Sequence, residues 1–343
     1  MRSCVIRNPQ SPIRNILVVM PELLEFEEPI GVLQKEIEAL TMLPVTSERQ
    51  AEVDSLKRRI ESIRADIYRH LTPWQRVLVA RHPERPSILE YVDMLFSEFT
   101  EIHGDRRFGD DHAIVAGMAL YKNEPVMVVG HHKGGADTKQ KIFRNFGYAR
   151  PEGYRKALRA MELADKFRRP IIVFVDTPAA YPGIESEERG IAEAIAFNLR
   201  EMTMIDVPIV VNVCGEGGSG GALGLAIGDR ILMHEFAVYS VIPPEGCAAI
   251  LWRDSGRKIE AAEALKLTAP DLLNLGVIDE IVPEPVGGAH TNPSAAATLL
   301  DASLSQAMAK VRSMTSQARL DGRYQKFREM GRLDRDFGVD AAY

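Results

Sequence analysis

Residues 207–229, VPIVVNVCGEGGSGGALGLAIGD, decide how the rest of this 343-residue chain is read. Val207, Ile209, Val210, Val211 and Val213 are β-branched and bounded by Pro208 and Gly215, the pattern of a strand buried on both faces. Glycines follow at 215, 217, 218, 220 and 221, so the backbone can turn sharply and approach another group with no Cβ in between. From Gly220 the composition turns helical, which gathers unpaired N–H groups at a helix start and favours negative charge there.

Three chemical readings compete here with a purely structural glycine turn. Gly215, Gly217 and Gly220 satisfy the dinucleotide fingerprint G-x-G-x-x-G, with Glu235 as the ribose acid. Gly217, Ser219 and Gly221 satisfy the nucleophile elbow G-x-S-x-G, with His234, Glu235 and His290 as triad partners. The third is an oxyanion hole made of backbone amides alone. Context counts against the first two. The helix after the glycines is short for a dinucleotide crossover, and the motif lies deep in the chain. His234 and Glu235 are adjacent in the strand pattern RILMHE, so their side chains point to opposite faces and cannot serve Ser219 in line.

With 45% hydrophobic residues the chain can bury a sizeable core, as one large domain or one domain with an appendage. A net charge of −6 gives no global basic field, so bulk nucleic-acid binding is not expected. Cys4, Cys214 and Cys247 form no CxxC pair, which suits a reducing compartment and leaves no metal site expected in this chain. No apolar run reaches membrane-spanning length. Residues 1–19 read as a leader outside the fold, with Met20 as the original start, because ILVVM is too short for a signal-peptide core.

Residues 20–100 read as a helical N-terminal extension. Helical patterns over 29–43 and 47–71, separated by Pro44, predict an antiparallel hairpin, with Val53, Leu56, Ile60, Ile63 and Ile67 on one stripe that the main domain or a partner must cover. Helix is expected from Trp74 to Phe99 around the loop RHPERP. Residues 101–292 read as the main α/β domain. His103, Asp105 and His112 lack metal-ligand spacing and are expected in solvated turns. Strands PVMVVGHH, PIIVFVD and the Val207 run each precede a helix or the glycine turn, so the sheet is expected to be mainly parallel with right-handed crossovers. Residues 293–343 read as a helical tail with little apolar face. The loop 175–183, VDTPAAYPG, follows its strand as the glycines follow theirs, so both turns should line one crevice, with Asp176 and Thr177 binding a polar ligand or, the reading favoured for either residue alone, capping the turn.

DTPAAYPG with EERGIAEAIA, GEGGSGGALGLAIGD, YSVIPPEGCAAILW and PEPVGGAH, in that order, resemble the alpha-subunit family of bacterial acetyl-CoA carboxylase carboxyltransferases. ARHPERP, the HGDR turn and RNFGYARPEGYRKALR are similar to the same family, so the resemblance runs from about Pro21 onward. It implies a crotonase-like (ClpP/crotonase) ββα spiral and a cytoplasmic α2β2 assembly with a beta subunit that carries zinc in a ribbon. It also implies carboxyl transfer from carboxybiotin, tethered to a biotin carrier protein that biotin carboxylase serves, to acetyl-CoA, giving malonyl-CoA. By position Gly220 and Gly221 would supply the oxyanion amides on the biotin side, with Gly217, Gly218, Thr177, Pro178, Ala179 and Tyr181 as the surrounding wall. Ala179 departs from the glycine usual in the family, and at φ > 0 alanine costs about 1 kcal/mol. Lys133 and the run 139–144 read as a solvated connector rather than a CoA-phosphate site. A stand-alone crotonase-type hydratase or isomerase is the second reading; it needs an acid or base near Gly220, for which Glu216 is the candidate.

Overall fold

The computed structural model describes residues 23–332, so the leader 1–19 and the end of the tail, 333–343, lie outside the described residues. Eight strands make one sheet: β1 (Phe96–Glu101), β2 (Ile114–Tyr121), β3 (Glu124–His131), β4 (Ile171–Thr177), β5 (Ile209–Gly218), β6 (Arg230–His234), β7 (Val238–Ser240) and β8 (Glu280–Val282). Their order is β1-β2-β3-β4-β5-β6-β8, and β7 pairs with the far end of β5. From β3 onward the pairs are parallel, as the alternating strand and helix patterns require, while β1, β2 and β3 are antiparallel. The β2–β3 connection is a tight hairpin with Lys122 and Asn123 both at positive φ, the twist that two-residue hairpin turns need. The pairs β2–β3 and β6–β7 are each followed by a helix in the ββα, crotonase-like manner, whereas β4 and β5 lead directly into helices.

Alternation along β4 and β5 explains the two layers. Ile171, Val173, Val175, Ile209, Val211 and Val213 enter one core beneath the helices Pro151–Lys166 and Ile191–Met204. Ile172, Phe174, Val210 and Cys214 enter the other, beneath the helices Ile88–Leu95 and Pro293–Arg312. The central strands are therefore buried on both faces, as their composition predicts.

Three expectations fail for physical reasons. Residues 96–101 extend as β1 instead of continuing the helix from Trp74, because the chain pairs with β2. The helix Pro293–Arg312 is no polar cap: Ala296, Leu300, Leu304, Ala307, Met308 and Val311 are buried, and its many alanines hide an apolar face that large residues would have announced. The HGDR turn is not solvated at Asp105, whose carboxylate accepts from the N–H groups of Arg107, Phe108 and Gly109 and from Arg155. His103 and His112 keep partial exposure, and no group of residues fit to hold a metal occurs among the described residues.

The N-terminal hairpin, Glu28–Thr41 and Ser47–Arg69, covers its own stripe: Ile30 and Leu33 meet Ile60, flanked by Ile37, Leu56 and Ile63. Its base docks through Tyr68, whose ring meets Phe236 edge-on at 5.4 Å and whose hydroxyl donates to Glu27 at 2.9 Å. The last helix, Ser316–Glu329, is anchored by charge. Arg323 is fully buried, bonded to Asp229 at 2.8 and 2.9 Å and donating to the carbonyls of Met202, Ile205 and Val207.

Four histidines are buried in the neutral form. Burial lowers His131 to about 3, aided by the Lys133 charge, and His132 to about 4, aided by Arg144. Burial likewise takes His234 to about 4 and His290 to about 3. In the unfolded chain each titrates near 6.5, so as pH falls below that value the unfolded state binds protons that the folded state refuses. The contribution is absent above pH 6.5 and costs about 1.4 kcal/mol per pH unit for each histidine on the way down to its folded pKa. The urea midpoint should therefore fall steeply between pH 6.5 and 4; a midpoint constant from pH 7.5 to 5 would contradict the neutral burial.

Candidate functional site

β5 carries its pairing through the glycines. Thr177 pairs with Gly217 across a register shift, while Glu216, Gly217 and Gly218 pair with Val238, Tyr239 and Ser240 of β7. The sharp turn is thus confined to Ser219, at φ 48°, and is followed by a helix of only five residues, Ser219–Leu223. Such a helix has few aligned peptides, so anion stabilisation here falls to individual N–H groups more than to a macrodipole.

Each glycine makes room for something different. A Cβ on Gly215 would lie 2.3 Å from Asp176 Oδ1, and one on Gly217 would meet the Tyr239 ring at 2.7 Å. On Gly218 it would sit 1.8 Å from the carbonyl oxygen of Pro178, and on Gly221 it would reach Ala180 N at 2.4 Å. At Gly220 it would find only Ile195 Cδ1 at 3.6 Å. The loops 177–181 and 217–221 therefore touch main chain to main chain, as their shared position at the carboxyl ends of neighbouring strands predicts.

The far end of the short helix is capped. Tyr154 Oη donates to the Gly221 carbonyl at 3.1 Å, and Asn198 Nδ2 donates to the Gly224 carbonyl at 3.1 Å. Its near end is open. Among the described residues, no hydrogen bond to a loop, cap or other element uses the N–H of Gly220 or Gly221. Gly218, Ser219 and Gly220 are half-exposed and Gly221 is buried under the 179–180 main chain. A cleft beside the turn is lined by Pro178, Gly217, Gly218, Ser240 and Pro243, and an apolar one of about 330 Å³ by Ser219, Leu223, Tyr239 and Phe327.

Thr177 is a brace: its hydroxyl bonds to the carbonyls of Gly147 and Ala179 at 2.7 and 2.9 Å. Ala179 is not among the residues at positive φ, so the alanine carries no left-handed strain. Tyr181 is half-exposed, lies under the Arg150 guanidinium at 4.8 Å, and is tied by its N–H to the Ala149 carbonyl.

A charged frame behind the turn is what the sequence reading missed. Lys133 Nζ lies 2.7 Å from Asp176 Oδ1 and 2.7 Å from Glu216 Oε2, so it is no solvated connector. Glu216 Oε1 accepts from Arg81 Nε at 2.7 Å, and Arg81 also holds Glu245 at 2.6 Å. Four residues on, Arg85 donates to the Cys214 carbonyl at 2.7 and 3.2 Å and grips buried Glu284 at 2.8 and 2.9 Å. Burial alone would raise Glu216; Lys133 and Arg81 outweigh it and keep it below the usual carboxylate range. Burial pushes the Cys214 thiol up, with the Asp176 charge adding to it, so that sulfur is no nucleophile. The only signal for this frame was the arginine spacing in ARHPERP, two cations on a loop.

The elbow partners do not assemble. His234 is buried edge-on to Tyr91, Glu235 accepts from the Glu284 N–H, and His290 stacks on His82 at 3.9 Å. A side chain at Gly221 would strike the main chain of residues 179–180. Gly221→Val should lower the melting temperature by about 5 °C or more through that collision. Gly220→Ala should stay within about 1 °C of wild type, and calorimetry of the two variants checks the contrast.

A profile of the family described as "Acetyl co-enzyme A carboxylase carboxyltransferase-like" matches residues 23–331. The chain is 56% identical over 311 residues to the acetyl-coenzyme A carboxylase carboxyl transferase subunit alpha of Geobacter metallireducens, covering 90% of this chain and 98% of that one. It is 52% identical over 312 residues to the protein of the same name from Halalkalibacterium halodurans, covering 90% and 95%. Among solved structures it is similar to transcarboxylase 12S, with TM-score 0.55 and 18% identity over 67% of this chain and 42% of that one. A Pseudomonas malonate decarboxylase hetero-tetramer gives TM-score 0.52 and 17% identity over 63% and 86%. At such identities the structural likeness speaks for the fold alone.

Proposed function

Because this chain belongs to the family of acetyl-CoA carboxylase carboxyl transferase alpha subunits, we infer that its glycine turn serves the biotin side of carboxyl transfer. The reaction moves the carboxyl group from carboxybiotin, held on a carrier protein, to acetyl-CoA and yields malonyl-CoA, the first committed step of fatty acid synthesis. Breaking the N–CO₂ bond leaves negative charge on the ureido group of biotin. The free ureido nitrogen takes a proton from the acetyl methyl, and the resulting carbon attacks the released carboxyl carbon. No side-chain nucleophile is required.

What the protein must supply is fixed donors where charge develops, each worth about 2.7 to 4 kcal/mol of barrier. The observation that carries the reading is the pair of N–H groups at Gly220 and Gly221, unspent on any neighbouring element and standing at a half-exposed turn. Gly217, Gly218, Pro178, Ala179 and Tyr181 wall the biotin ring, and Thr177 holds that wall in shape. The thioester enolate needs a second such site, which belongs to a beta subunit in an α2β2 assembly. That subunit also carries the zinc, and the biotin carrier docks against the pair. A stand-alone hydratase or isomerase is disfavoured because Glu216, its one candidate acid or base, has one oxygen engaged by Arg81 and the other by Lys133.

Mixed with its beta partner, the chain should carboxylate free biotin from malonyl-CoA; alone it should be inert, and full turnover by the isolated chain would sink the split-site reading. Ser219→Gly should keep the rate of the assembled pair within about threefold, since glycine relaxes the positive φ and the backbone does the chemistry. A loss of about a thousandfold or more would instead mark Ser219 as a nucleophile.

A further inference from the structure

Both site loops depart from a carboxylate. Asp176 sits at the end of β4 just before Thr177, and Glu216 sits in β5 just before Gly217. Lys133, two residues past the end of β3, reaches both with one ammonium, at 2.7 Å each. The Glu216 N–H adds a bond to Asp176 Oδ1 at 2.9 Å, within the space that Gly215 leaves empty. Gly147, at φ 80°, clears the lysine stem, since a Cβ there would lie 2.8 Å from Lys133 Cγ.

We propose that Lys133 is a positioning residue for carboxyl transfer, joining Asp176 to Glu216 so that the loops 177–181 and 217–221 keep the spacing that aims the Gly220 and Gly221 amides. The proposal rests on the reading of that turn as the biotin-side donor site. Three features separate it from a substrate-binding role. The ammonium is already shared by two carboxylates, so an anionic substrate would have to displace one of them. Its side chain is only 22% exposed. And the loops it joins touch through main chain, where a shift of about 1 Å costs on the order of a hundredfold in rate. Without the ammonium, two like charges face each other and push the strand ends apart.

The test uses the chain assembled with its beta partner, with malonyl-CoA and free biotin as substrates. An inert wild-type pair would overturn the functional reading itself, and the inference with it. With an active pair, Lys133→Met should lower kcat about 100-fold and leave KM for malonyl-CoA within about threefold. Adding Asp176→Asn removes the repulsion while keeping an acceptor for the Glu216 N–H, and the double variant should regain at least about tenfold. Three results overturn the proposal: kcat within about threefold of wild type, a raised KM at unchanged kcat, or a double variant no faster than the single one. If Lys133→Met fails to fold or assemble, Glu216→Gln decides. It should lose about tenfold in kcat at constant KM, and an unchanged kcat refutes the coupling.

Discussion

Two stretches of main chain meet here at a separation that no side chain permits. Gly218 and Gly221 lie against Pro178, Ala179 and Ala180 so closely that any Cβ would overlap peptide atoms. That contact sets where the amides of Gly220 and Gly221 stand, and much of the surrounding structure serves to hold it. β4 and β5 run side by side in register through Val175 and Val213, then shift at Asp176, which turns its carboxylate into the space over Gly215. Ser219 lies within the turn, but the histidines that would have to activate it, His234 and His290, are packed against Tyr91 and His82 instead.

The frame behind the contact is ionic. Buried ion pairs add little net stability, since desolvation offsets most of the attraction, but they fix geometry because a misplaced partner leaves a charge uncompensated. Arg81 and Arg85 come from the short segment between the N-terminal hairpin and the sheet, and they grip residues 216 and 214 on either side of Gly215. The N-terminal region thus reaches the turn through this segment, whatever its hairpin touches outside. This also explains why the carboxylates nearest the turn are poor acids and bases: their oxygens are committed to Lys133, Arg81 and the Glu216 N–H.

The central strand, the hairpin helices and the pairing of the two loops were legible because each rests on local pattern: β-branched runs, steps of three and four, glycine after a strand. β5 outran its reading because glycines argue against strand, and its extension is supplied by β7, brought in from residues 238–240, with Thr177 of β4 on the other side. The helix 293–312 was misread because alanine gives little amphipathic contrast, yet two layers of close-packed helix and sheet need small residues there. Lys133 was illegible for a different reason. Its two carboxylates lie far along the chain, and nothing near a lysine in a polar connector says that it will be folded inward.

Arg323 enters the structure from the last helix described, yet it neutralises Asp229 and gathers three carbonyls, of Met202, Ile205 and Val207, where the helix Ile191–Met204 hands over to β5. It is synthesised after every other described strand and helix. A chain released before that arginine would carry a stranded anion beneath its own core, so a prematurely stopped product should be cleared by quality control instead of competing with finished copies for partners.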